Sequence, residues 1–147
     1  MKYTVEQITE AGHNVSEAEK VAALCEYLDC EPSELSSTFD YYGLSQFEYG
    51  KQEYAIGTDS EADDAAQKAI EQSAWAFNAS FLASFCELPE CVFEALQGKC
   101  EDSNDAVLSL IEKSGGIAEF AKQAISADGR GHFLAGYDSN ENEQGQF

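Results

Sequence analysis

Apolar residues return every three or four positions along most of this chain and alternate with polar ones in only one stretch, a pattern of many helices and one small sheet. Val21, Leu24, Cys25 and Leu28 recur at helical spacing behind Ser16 and Glu19, whose separation makes a capping box. They predict a helix over residues 17–29, which Pro32 ends. Pro32-Ser33-Glu34-Leu35 then starts a short second helix, with proline in its first turn and an acid near the positive helix end. Residues 45–57 place aromatic and β-branched side chains on both sides of a Gly50-Lys51-Gln52 turn, the signature of a hairpin. Phe47 and Tyr49 then share one face with Glu48 opposite, and Tyr54 and Ile56 likewise share a face. A two-stranded ribbon is marginal alone, so helices must pack on it.

Downstream, Thr58 or Asp59 caps a long helix that begins with Glu61, Asp63 and Asp64, acids placed where the helix dipole favours them. Ile70, Ala74, Phe77 and Phe81 form its buried stripe, Asn78 interrupts it, and Ser80 restarts it through Phe85. Pro89 opens a helix from Glu90 to Gln97 that Gly98 stops. Ser103 caps another through Lys113, and Gly115-Gly116 separates it from a last helix over Ile117 to Ser126. Five or six helices and one antiparallel hairpin make an α+β, mostly helical fold, with a single globular domain over residues 1–135 and a polar, mobile tail over 136–147.

Charge narrows the range of partners. Twenty-eight Asp and Glu against eight Lys and Arg leave a net charge of −20. Twenty charges match the phosphates of about 34 Å of duplex, at about 1.7 Å of axis per phosphate. Such a chain is repelled by nucleic acid and attracted to the proteins that bind it. The acidity does not signal disorder, because 44% hydrophobic residues, with nine Phe and seven Tyr, are enough for a core. No run approaches the length of a membrane span, and no N-terminal apolar segment resembles a signal sequence, so the expected location is the cytoplasm. Five cysteines, Cys25, Cys30, Cys86, Cys91 and Cys100, then read as reduced thiols.

The helix pair around Asp29-Cys30-Glu31 has the outline of a helix-turn-helix, yet Glu31, Glu34 and Asp40 stand where a DNA reader needs cations and amides. The segment Asp128-Gly129-Arg130-Gly131-His132-Phe133 sets the single arginine between glycines beside a histidine. It could clamp an anion and shuttle a proton, or simply sew the C-terminal segment to an acidic body. No phosphate loop, dinucleotide fingerprint, zinc-protease motif or serine elbow supports catalysis. The two Cys-x4-Cys pairs, with Cys100 and His13 or His132 to complete a set, are poorly spaced for zinc. Asp59, Glu61, Asp63 and Asp64 lack the alternation, central glycine and terminal glutamate of a calcium loop. No cofactor or metal is expected.

Three stretches carry a resemblance: Tyr41-Tyr42-Gly43-Leu44 through Tyr54-Ala55-Ile56-Gly57-Thr58-Asp59; Ser73-Ala74-Trp75-Ala76-Phe77-Asn78-Ala79-Ser80-Phe81; and Asp128 to Leu134 with Tyr137-Asp138. Across about half its length the chain resembles small acidic proteins encoded by bacteriophages and related mobile elements. The resemblance implies a genomic setting, in host cytoplasm, and no catalytic residues. By analogy it suggests inhibitors of host restriction enzymes, nucleases or CRISPR complexes.

The leading expectation is therefore a non-enzymatic inhibitor that occupies a basic nucleic-acid channel on a host protein, binding neither nucleic acid nor membrane. Its contact residues are Glu31, Glu34, Asp40, Asp59, Glu61, Asp63 and Asp64, with Glu101, Asp102 and Asp105 as a second cluster. The alternative is a binding protein that uses an aromatic patch around Tyr41, Tyr42, Phe47 and Tyr49, the acids serving solubility. A small enzyme built on Asp128, Arg130 and His132 is the third reading.

Overall fold

A computed structural model describes residues 2–135 and 141–147. Among these residues the fold is α+β and mostly helical, with eight α-helices and one three-stranded antiparallel sheet. The chain divides into two compact units, Met1–Ala65 with Glu141–Phe147, and Ala66–Asn140. The boundary falls inside a helix. Of the tail expected from residue 136 onward, residues 136–140 lie outside the described residues. Residues 141–147 group with the first unit, where Gln144 Nε2 donates to Glu26 Oε2 at 3.2 Å and Gln146 Nε2 to Glu19 Oε2 at 3.1 Å.

The first unit opens on α1 (Val5–Glu10), which the periodicity does not predict because only Ile8 of its six residues is buried. Its start is nevertheless encoded: Thr4 and Gln7 form a reciprocal capping box. Ser16 does not cap the next helix. Val15–Glu17 instead makes a 3-10 turn that runs directly into α2 (Ala18–Leu28), so backbone carbonyls meet the amides that a serine hydroxyl would have served. The short helix expected after Pro32 is a single 3-10 turn, Pro32–Glu34.

The hairpin forms where it is expected, as β2 (Ser45–Tyr49) and β3 (Gln52–Ile56), with Phe47 opposite Tyr54 and Glu48 opposite Glu53. Only Gly50 and Lys51 make the turn, and Gly50 takes φ +62°, the left-handed first position that a two-residue hairpin asks of glycine. A two-residue strand β1 (Ser36–Ser37) pairs with β2 to complete the sheet. Phe47 is fully buried among Ile8, Val21, Leu24 and Cys25 from the two helices, with Tyr49, Tyr54 and Ile56 packed at the margin.

Helix α3 (Asp59–Ser73) crosses the unit boundary and ends earlier than the apolar stripe predicts. Ala74–Ala76 is a 3-10 turn and Phe77 is extended before α4 (Ala79–Cys86) begins. Distant side-chain amides satisfy this break. Asn104 accepts from the Trp75 amide at 3.1 Å and donates to the Glu71 carbonyl at 2.8 Å, while Gln97 donates to the carbonyls of Trp75 and Phe77. Helix α5 (Glu90–Gln97) follows as expected. Ser103 turns its hydroxyl back to the Cys100 carbonyl at 2.8 Å and gives no side-chain cap to α6 (Asn104–Ser114).

Gly115 has φ +154° and lies against Phe85, where a Cβ would stand 3.2 Å from the ring, so glycine is required before α7 (Ile117–Asp128). The residues beyond Gly129 form a short helix, α8 (Arg130–Leu134), which carries Arg130 and His132. The core of the second unit gathers on Phe120, fully buried, with the rings of Phe77, Phe81 and Phe85 at 5.0, 5.4 and 5.1 Å. These edge-to-face pairs add to the area they bury.

Candidate partner-binding surface

Of the acids picked from the sequence, seven belong to the first unit and three, Glu101, Asp102 and Asp105, to the second. All three of the latter are exposed, on the 3-10 turn Cys100–Ser103 and the first turn of α6. In the first unit Glu31, Glu34, Asp40, Asp59, Asp63 and Asp64 are exposed, as an interaction role requires.

Glu61 is different. Its carboxylate accepts from Lys20 Nζ at 2.8 Å, a lysine only 16% exposed, and from the amide and hydroxyl of Thr58 at 3.2 and 3.1 Å. Thr58 Oγ1 in turn accepts from the Glu61 amide at 3.3 Å, so the pair is the capping box that starts α3. The hydrogen bond from Lys20, with those from Thr58, holds the Glu61 carboxyl below the usual range against an opposing effect of burial. Its charge is already answered within the fold.

Glu31 and Glu34 brace each other across their 3-10 turn, the Glu31 amide donating to Glu34 Oε2 at 2.8 Å. With Asp29, which the sequence reading treated only as a joint, they line an open concavity of about 440 Å³ shared with Lys2, Tyr3 and Cys30. Asp29 sits there because it caps α2 in the left-handed conformation, φ 53°, which aspartate tolerates better than most residues. Lys2 Nζ is 3.7 Å from Asp29 Oδ1 and 5.5 Å above the Tyr3 ring. The Glu34 carboxylate is the main reason the Tyr49 phenol is pushed up.

Behind the concavity the amide of Cys30 donates to the Cys25 carbonyl at 3.1 Å, closing the helix end and bringing the two side chains together. Burial, the neighbouring Cys30 and the Glu34 charge push the Cys25 thiol up to about 12, and burial also raises Cys30. Both are poor nucleophiles at neutral pH. Cys86 is buried, Cys91 and Cys100 are exposed, and no group of three or more His, Cys, Asp or Glu among the described residues could hold a metal ion. His13 is buried, its Nε2 donating to the Pro32 carbonyl at 2.7 Å and its ring edge-on to Phe47 at 5.9 Å. That role is structural.

The aromatic patch changes membership. Phe47 is core, Tyr49 is half-buried at the core margin, and Tyr41 and Tyr42 pair edge-to-face at 4.8 Å, with burial raising the Tyr41 phenol. Phe39, which the sequence reading passed over because it stands alone in no periodic run, is 92% exposed. Asp128 and His132 are exposed and Arg130 is half-buried at the start of α8; none of them lines the concavity. No helix among the described residues is long and apolar enough to cross a membrane.

Comparison of the chain with protein-family models, with curated proteins and with solved structures gave no match.

Proposed function

We propose that this protein is an acidic interaction protein that occupies the nucleic-acid-binding surface of a basic partner, with carboxylates standing in for phosphates. One observation carries the reading: the first unit holds seventeen Asp and Glu against three lysines, so most of its charge is unanswered within the unit whatever the side-chain arrangement. Two of those lysines already pair, with Asp29 and Glu61. Surplus charge of one sign destabilises the folded state by self-repulsion and finds compensation on a surface of opposite sign. Glu31, Glu34, Asp40, Asp59, Asp63 and Asp64 are the contact residues in this reading; Glu61 supports them by starting α3. The partner class suggested by the phage-type resemblance is a restriction, nuclease or CRISPR component of the host.

The test uses a panel of purified restriction endonucleases, CRISPR effector complexes and other DNA-binding proteins. At least one should lose activity on addition of this protein, its complex should be displaced by duplex DNA, and its association rate should fall steeply as salt screens the approach. Inhibition of none, or binding indifferent to both DNA and salt, overturns the proposal.

A further inference from the structure

Locally unfavourable features coincide at the end of the small sheet away from the Gly50-Lys51 turn. Of the nine phenylalanines, eight are buried or half-buried, and Phe39 alone is exposed. The preceding Thr38 continues the pairing of β1, its amide donating to the Gln46 carbonyl at 2.9 Å, but its own hydroxyl is buried with no hydrogen-bond partner. Tyr42, in the tight turn closed by the hydrogen bonds between Tyr41 and Leu44, holds φ +53°, a left-handed conformation that costs an aromatic residue energy.

A lone exposed phenylalanine is ordinary. An exposed phenylalanine next in the chain to an orphaned hydroxyl, in the same connection as a strained tyrosine, is a surface left unfavourable in the free protein, and such surfaces gather at binding sites. We infer that Phe39 is the apolar anchor by which this unit docks a basic protein partner, inserting into a pocket whose rim supplies Lys or Arg to the exposed Asp40. The inference rests on the proposed function and names its contact face. Charge selects the occupant. A second copy meeting the same face by a two-fold would set −14 against −14, and phosphate or anionic lipid would be repelled in the same way. Basic protein remains, with the aromatic as central anchor and the ion pair at its rim.

Two synthetic peptides of equal length and charge serve as probes for the intact chain, one alternating Lys with Leu and the other Lys with Ser. The leucine peptide should bind about tenfold more tightly, a typical hot-spot gain, and should shift the amide resonances of Thr38, Phe39 and Asp40. Phe39→Ala, at a site too exposed to affect folding, should abolish that preference and leave the serine peptide unchanged. Equal binding of both peptides, a preference that survives Phe39→Ala, or shifts confined to other residues overturns the anchor. Salt-sensitive binding of the serine peptide would then leave the acidic reading standing, whereas no binding of either peptide removes both. Self-association abolished by Phe39→Ala would make a second copy the occupant and likewise overturn the inference.

Discussion

The two units are nearly equal in length, seventy-two and seventy-five residues, yet differ in charge and in what holds them together. The first carries −14, and its core is mostly aliphatic side chains and two thiols around one buried phenylalanine, Phe47. The second, with eleven acids against five cations, carries −6 and packs its helices around a cluster of phenylalanines centred on Phe120. The unit with the slighter aromatic core bears the heavier self-repulsion. Stability alone would distribute the charge the other way. The contrast is the reason the proposed contact surface is assigned to the first unit.

The sharpest way to break the contrast is to remove the ring on which the second core depends. Phe120→Ala should cost about 3–5 kcal/mol, the usual range for emptying a fully buried aromatic site. Trp75, the only tryptophan and a member of that unit, reports the loss as a lower urea midpoint of its fluorescence. If amide protection in β2 and β3 falls as far, the units unfold together and their difference is not one of stability.

Alkaline titration sharpens the contrast from the other side. Cys25 keeps its proton to about pH 12 when folded and to about 9.0 when unfolded. The unfolded chain therefore releases that proton first as pH rises. The contribution of Cys25 to stability is whole below pH 9 and is lost between pH 9 and about 12, by up to a few kcal/mol. Urea unfolding at a series of pH values should show this slope, and Cys25→Ala should flatten it. Cys30, Cys86, Tyr41 and Tyr49, also raised, leave a residual slope of the same sign. A slope unchanged by Cys25→Ala would mean that the thiol is less sequestered than its burial indicates.

The smallest effect concerns Glu61, a predicted contact acid that the fold ties to a lysine. Glu61 is held low by Lys20, so the pair stabilises above the ordinary carboxyl value of 4.5 and its contribution disappears as pH falls through the lower folded value. Glu61→Gln should cost less than about 1 kcal/mol at neutral pH, since the carboxylate is 39% exposed, and nothing in strong acid. It should also leave binding to a basic partner less affected than Asp63→Asn and Asp64→Asn together. A larger binding defect for Glu61→Gln would reverse the assignment of structural and contact roles.

Local chemistry was legible wherever the deciding atoms lie within a few residues of one another. Gly50, Pro89, Gly98 and Gly115 mark turns or helix limits in the sequence and in the structure, and the alternation of residues 45–57 is enough to put Phe47 inside and Glu48 outside. The capping box of Thr4 and Gln7 was equally local, but it starts a helix with one buried residue, and periodicity has nothing to count there. Residues that stand apart from any pattern stayed hidden: Phe39 in a connecting segment, and Asp29 behind its role as a helix end.

The sequence by itself determined the fold class, the hairpin, most helix limits and the excess of carboxylates, because spacing, turn residues and formal charge are properties of neighbours or simple totals. Only the tertiary structure decided that α3 stops at Ser73, since the amides and carbonyls freed there are met by Asn104 and Gln97 from more than twenty residues away in most cases. It alone separated Glu61, tied to Lys20 across forty-one positions, from the acids around it, and left the Thr38 hydroxyl without a partner and Phe39 exposed. Which polar groups find partners, and which are left for another molecule, depends on distances that chain order does not contain.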